Sequence, residues 1–410
     1  QPTSIDEGTH LMNRKLRLRS VALAAALAAV AGSASAYVHA DGASTHMLRA
    51  EAWLPDVAPL IVAGDPGGSP TDNPTLRIDP NLMSSPWSGV VSLNIRYSTG
   101  TVGASSSFIC SGALVSPIHI VTAAHCIDTN GAGSAITIGD RLAGVAGVGD
   151  VRAVLNVQTD AASPNSFTLA SAVSVSMHPN YNGFGVCPAA VTDPSQFCIN
   201  DDIAVVTLGA PVPAGFKTYR VEPNMPGMGT EVTHVGFGTT GNGITGHTAG
   251  SANFFIKRTG RGHIDRPLDE ANDELDFTGS PEVWVADFDN AALGIDTHCT
   301  SFSVCSPILA NNVETNLGGG DSGGPSFVQG ADGEWLLVGN NTFGRRFTAE
   351  QVSGTFGTAY GGMVLGSYMD FLTTATGGAV QAVPEPGTYG MMALGLLAVG
   401  GLLRRRKAQA

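Results

Sequence analysis

From Val90 to about Leu372 the chain is a succession of short apolar, β-branched runs, such as Val90-Val91-Ser92-Leu93-Asn94-Ile95, each closed off by Gly, Pro, Asn or Ser. Runs this short do not reach the three turns of an average helix, and branched side chains suit the pleated surface of a strand. Stretches of 3.6-residue periodicity are scarce, and 53 glycines supply the turns that many short strands need. The pattern predicts an all-β fold with a short C-terminal helix at Met363–Leu372, packing Val364, Tyr368, Phe371 and Leu372. No internal repeat is visible, and the Pro-containing stretch Pro211–Pro226 marks a crossover between two β units.

The two ends read as addresses. Gln1 to Leu11 have no pattern, but from Met12 onward Arg14, Lys15, Arg17 and Arg19 precede the apolar Val21–Ala31 and the small-residue site Ala34-Ser35-Ala36. Residues 1–36 are therefore expected to be upstream sequence and a secretory signal peptide, with the mature chain starting at Tyr37. Export places the six cysteines in an oxidising compartment, where they can form three disulfides. At the other end Val383-Pro384-Glu385-Pro386-Gly387 precedes the apolar Met391–Leu403 and then Arg404-Arg405-Arg406-Lys407. The apolar stretch is short for a full membrane span, and the basic cluster would stay cytoplasmic. This ending resembles the PEP-CTERM sorting signal of Gram-negative bacteria. The resemblance implies an exosortase-type sorting enzyme as partner, an apolar sorting helix, and a location in the periplasm, cell envelope or extracellular matrix. A plain C-terminal anchor is the alternative.

Between these signals, residues 37–80, rich in Pro, Asp and Gly, are expected to form a leader or propeptide. Residues 81–378 form the main domain, with β units at about 81–215 and 222–372, and residues 379–410 are linker and sorting tail. The whole chain carries a formal charge of −13; without 1–36 and 384–410, 13 basic residues stand against 31 acidic ones. Such an acidic body repels nucleic acid and anionic lipid, so neither is expected as a partner, and membrane contact is expected only through the tail.

Three segments carry chemistry together: Val121-Thr122-Ala123-Ala124-His125-Cys126, Asn200-Asp201-Asp202-Ile203-Ala204-Val205-Val206 and Gly319-Gly320-Asp321-Ser322-Gly323-Gly324-Pro325. A serine hydroxyl is a weak nucleophile and needs an imidazole to take its proton, and the imidazole needs a carboxylate to fix its tautomer. The oxyanion that forms needs closely spaced backbone N–H groups, and glycines on both sides of Ser322 permit that backbone. Singly, each segment is as readily a structural histidine, a turn aspartate and a glycine loop. Ser322 also fits the G-x-S-x-G pattern of an esterase nucleophile elbow, but no histidine follows His298, so none lies downstream of the serine to serve as its base.

At these residues the chain resembles the chymotrypsin/trypsin family, with the histidine box at Thr122–Cys126 and the serine box at Gly320–Pro325. Weaker matches are Pro86-Trp87, Cys110-Ser111-Gly112, His178-Pro179-Asn180-Tyr181 and Val235-Gly236-Phe237-Gly238. The resemblance spans about residues 80–375 and implies two perpendicular antiparallel β-barrels with a triad of His125, Asp202 and Ser322 between them. It assigns Asp202 over Asp201, whose side chain is expected to face solvent. It puts the oxyanion donors at Gly320 and Ser322, and the specificity pocket at Asn316, Thr342, Phe343 and Gly344. Asn316 supplies no charge for a basic substrate side chain. An activation ion pair is expected between Asp321 and an N-terminal ammonium freed by cleavage; two sites qualify, Ile78 after Arg77, favoured on spacing, and Ile61-Val62-Ala63-Gly64. Cys110–Cys126 corresponds to a family bridge, and Cys187–Cys198 and Cys299–Cys305 are expected to pair.

The expected activity is a serine endopeptidase acting on proteins or peptides through an acyl-enzyme. The rival is a surface protein that uses the fold for binding with little turnover. No cofactor and no metal are expected: there is no HExxH, and Asp287-Phe288-Asp289-Asn290 reads as a solvated turn.

Overall fold

The computed structural model describes residues 54–56, 61–156, 167–187, 198–199, 201–268 and 282–383. The expected signal peptide, its cleavage site, and the apolar and basic parts of the sorting tail lie outside the described residues. Among the described residues no helix is long and apolar enough to cross a membrane.

After the three-residue strand β1 (Leu54–Asp56), the first sheet comprises β2 (Val90–Ser98), β3 (Ser105–Ser116), β4 (His119–Thr122), β5 (Thr137–Ile138), β6 (Val148–Asn156), β7 (Phe167–Met177) and β8 (Ala204–Leu208). Pairing runs β2-β3-β4-β8-β7-β6, and β6 pairs back onto β2, closing six strands into a barrel. Alternation along the strands fills it: Val91, Leu93 and Ile95 of β2 point inward to meet Leu114, Ile120, Val151 and Val206. Strand β8 is apolar on both faces for a reason. Ala204, Val206 and Leu208 fill the barrel, while Ile203 and Val205 face the other way, into a second core shared with Val235, Phe237 and Phe327. Truncating a fully buried residue such as Leu93 to Ala would cost about 2–5 kcal/mol.

The second sheet holds β9 (Thr230–Gly236), β12 (Arg258–Ile264), β13 (Arg266–Leu268), β14 (Val283–Asp287), β15 (Pro325–Gln329), β16 (Trp335–Arg346) and β17 (Ala359–Val364), with a hairpin of β10 (Thr240–Asn242) and β11 (Gly246–Thr248) at its side. Its order is β12-β9-β15-β16-β17-β14-β13. The outermost two strands are consecutive in the chain, divided only by Asp265, so the sheet curls back on itself. Trp284, Tyr360, Val232 and Leu317 fill its interior. Strand β1 adds to β16 by pairing Asp56 with Gly344 and Leu54 with Arg346.

The chain passes between the sheets over residues 209–229, and its far end returns there: Val221 N–H donates to Gln381 O and Val383 N–H to Val221 O, 2.8 and 2.9 Å. The helix Met369–Ala375 buries Leu372 against the shared core. All three expected cysteine pairs, Cys110–Cys126, Cys187–Cys198 and Cys299–Cys305, are disulfides.

Candidate active site

Strand β4 ends at Thr122, and the short 3-10 turn Ala124–Cys126 that follows presents His125. Asp202 lies two residues before β8, which is hydrogen-bonded to β4, so strand pairing brings the two together. The His125 backbone N–H donates to Asp202 Oδ1 at 2.8 Å, and Nδ1 lies 2.6 Å from Oδ2. A carboxylate can only accept there, so Nδ1 carries the hydrogen and Nε2 is left able to take a proton. Asp202 is 1% exposed, and Asn340 Nδ2 donates to its carbonyl at 3.1 Å. The Phe184 ring tilts against the imidazole with centroids 5.0 Å apart.

Asp201 is not solvent-facing. It is 6% exposed, and its Oδ1 lies 2.6 Å from His178 Nδ1. Consecutive side chains do diverge here, but the far side is covered: the His178 ring packs edge-on against Tyr368 and Phe371, beside the terminal helix.

Ser322 reaches the histidine segment through backbone contacts. Ser111 N–H donates to Ser322 O at 2.9 Å, Ser111 Oγ donates to Gly320 O at 2.7 Å, and Phe237 N–H donates to Ser111 Oγ at 3.0 Å. Ser111 therefore ties the first barrel to the serine loop and to the second sheet, a role that the sequence hinted at only through the Cys110-Ser111-Gly112 match. Gly323, at φ +75°, sits so close that a Cβ there would come within 2.1 Å of Thr122 Oγ1 and 2.5 Å of Ala123 N. Gly320 takes φ +101°, a conformation reserved for glycine. Among the described residues the N–H groups of Gly320 and Ser322 donate to no partner, and Ser322 Oγ makes no hydrogen bond.

Asp321 is fully buried behind the serine. It accepts from Gly238 N–H at 2.8 Å and Gly318 N–H at 3.2 Å, and the backbone N–H of Ile61 lies near enough to favour its charged form. Burial pushes its carboxyl up to about 7, although these bonds and the nearby Arg258 guanidinium hold it down. The residue at Asp321 is thus Ile61 and not Ile78, which is 43% exposed and bridges to Arg258. The preceding Arg77 is also a poor cleavage site. It is buried, ion-paired with Asp72, and bonded to the Val313 carbonyl. Spacing from Trp87 favoured Ile78 because the sequence could not show that residues 65–78 leave the pocket and loop over the surface.

The expected pocket residues are close-packed. Asn316 is 2% exposed; its Nδ2 donates to Thr358 Oγ1 at 2.7 Å and its Oδ1 accepts from Leu317 N–H at 2.7 Å. Thr342 and Phe343 are buried in β16, and Gly344 is half-buried. Arg345, the next residue of β16, is 2% exposed, with its guanidinium 4.7 Å from the Phe347 ring. The solvated turn expected at Asp287–Asn290 is buried as well: Asp287, Asp289 and Asn290 are 3%, 6% and 5% exposed.

A closed six-stranded barrel and a second curled sheet define the chymotrypsin-like architecture. Comparison with known proteins agrees: residues 80–254 match the trypsin family, and residues 382–407 match the PEP-CTERM protein-sorting motif. The chain is similar to brachyurin from Leptuca pugilator, 31% identical over 144 residues, which is 34% of this chain and 49% of that protein. It thus spans about half the length of the curated relative it matches.

Proposed function

We propose that this chain is an exported serine endopeptidase that cleaves peptide bonds through an acyl-enzyme, with Ser322 as nucleophile, His125 as general base and acid, and Asp202 orienting the imidazole. The reading is carried by the paired hydrogen bonds from His125 to Asp202, which leave Nε2 able to accept a proton. The unengaged N–H groups of Gly320 and Ser322 would receive the oxyanion. The trypsin domain and the similarity to brachyurin support the same class of chemistry. The sorting motif supports delivery to the cell envelope or beyond through an exosortase-type partner, with residues 379–410 as a removable tail.

Activation is proposed at the Leu60–Ile61 bond rather than after Arg77. A free ammonium at Ile61 would put a full positive charge where the peptide N–H already favours the Asp321 carboxylate. Cleavage would also separate β1 from the domain and uncover the edge of β16 at Gly344–Arg346. With Asn316 amide-capped and uncharged, substrates with Arg or Lys at the cleaved bond are disfavoured.

A fluorophosphonate probe, followed by peptide mapping, tests the reading. Labelling at Ser322 that is lost in His125→Ala supports it. An unlabelled, folded chain that cleaves no casein would favour the binding-only rival.

A further inference from the structure

Five carboxylates crowd one side of the second sheet: Asp265, Asp287, Asp289, Asp296 and Glu314, all buried except the half-buried Asp296. The basic groups nearest them are His298, Arg266 and Arg345. His298 Nδ1 lies 2.8 Å from Asp265 Oδ2 and 3.6 Å from Asp287 Oδ1, so the imidazole serves one end of the cluster. Glu314 is spent on backbone: Oε1 accepts from Asp289 N–H and Oε2 from Leu309 N–H, each at 2.9 Å. Asp287 and Asp296 each give one oxygen to the helix Thr297–Phe302, accepting from His298 N–H at 2.7 Å and Cys299 N–H at 2.8 Å.

The other end has no such answer. Carboxylate oxygens of Asp287, Asp289 and Asp296 lie within 4.8 Å of one another. Asp289 is 6% exposed, yet its Oδ1 is buried with no hydrogen-bond partner. An unpartnered carboxylate oxygen beside two others is costly out of water unless protons or a cation neutralise it.

We propose that Asp287, Asp289 and Asp296 form a divalent-cation site, with calcium as the ion that fits. Two oxygens on one calcium at about 2.4 Å can be at most about 4.8 Å apart, so the spacing admits a shared ion. The donors are all hard oxygens, which select calcium over zinc, and the one imidazole nearby is already engaged by Asp265. The local sequence explains the geometry. Asp287 and Asp289 are two residues apart and share a side, while Phe288 between them points oppositely and packs on Val62 and Phe356. Ile295, next to Asp296, joins the same apolar cluster. An ion here would therefore brace the loop against the segment that begins at Ile61.

Isothermal titration of the EDTA-stripped full chain with calcium chloride should show one site, with a dissociation constant on the order of 10⁻⁴ M, as in extracellular calcium modules. The melting temperature should rise by several degrees in millimolar calcium over EDTA and rise far less with equimolar magnesium. Asp289→Asn keeps the shape and removes the unpartnered charge. It should abolish both calcium responses while melting no lower than the wild type in EDTA, because repulsion is relieved. A wild type whose heat signal and melting temperature ignore calcium would overturn the proposal, and so would an Asp289→Asn chain that binds calcium as tightly as the wild type.

Discussion

Asp202 accepts two hydrogen bonds from one residue: the backbone N–H fixes where His125 sits, and the Nδ1 contact fixes the tautomer that leaves Nε2 unprotonated. Asp202→Asn keeps the volume but offers a donor where His125 needs an acceptor, so kcat on casein-like peptides should fall about 10⁴-fold with the fold unchanged by circular dichroism. Ser322→Ala should fall at least as far, since the hydroxyl is the group that forms the acyl bond; near wild-type turnover by either variant would refute the triad. Asp321 gives a pH signature. Its folded-state carboxyl is raised to about 7, above the ordinary value, so in the uncleaved chain its contribution to stability is complete below about pH 4 and is lost as pH rises through 7. Melting of the uncleaved chain should therefore lose, between pH 4 and 8, a component that Asp321→Asn lacks. In the chain cleaved before Ile61 the ammonium favours the carboxylate, and that component should shrink or reverse. Identical pH profiles for wild type and Asp321→Asn would exclude this burial effect.

At the level of elements, the histidine turn is held by more than strand pairing. The Cys110–Cys126 disulfide spans 16 residues and joins β3 to the turn next to His125. Closing a loop of that length limits the unfolded chain and is worth about 3 kcal/mol. The double variant Cys110→Ser/Cys126→Ser should lower the denaturant midpoint accordingly, and an unshifted midpoint would mean that the strands alone set the turn. The segment that follows Ile61 is another such element. Gly64 N–H donates to Asp72 Oδ2 at 2.6 Å, and Asn311 Nδ2 donates to the Asp65 and Pro70 carbonyls. A segment fastened at that many points presents Ile61 at Asp321 without needing the leader before it. N-terminal sequencing of the active form should read Ile-Val-Ala-Gly; a start at Ile78 or Tyr37 would place activation elsewhere.

Across the whole molecule, the two sheets share one core through β8, and the C-terminal strap at Gln381–Val383 is hydrogen-bonded to the crossover at Val221. Removing residues from 384 onward should leave the domain's melting temperature and activity unchanged, since every one of these contacts lies before the cut. Ending the chain at Val364 removes Tyr368 and Leu372 from the shared core and should give insoluble or unfolded protein. Soluble, active protein from the shorter chain would show that the strap is dispensable.

The candidate triad and the all-β architecture are legible because each depends on local sequence: the boxes around His125 and Ser322 are contiguous, and strand periodicity repeats every two residues. Asp202 was separable from Asp201 by its place before the apolar strand, but what covers Asp201 was not, because His178, Tyr368 and Phe371 arrive from distant parts of the chain. The partner of Asp321 was ambiguous for the same reason. Distance along the chain favoured Ile78, whereas the looping of residues 65–78, pinned by Asp72 and Arg77, brings Ile61 to it. The acidic cluster shows the limit most plainly. Asp287 and Asp289 are visible as a pair in the sequence, but Asp265, Asp296 and Glu314 join them only when separate strands and loops converge. Burial turns that convergence from a solvated turn into a demand for neutralising charge, because a carboxylate's cost depends on its distance from water and a linear chain does not record that distance.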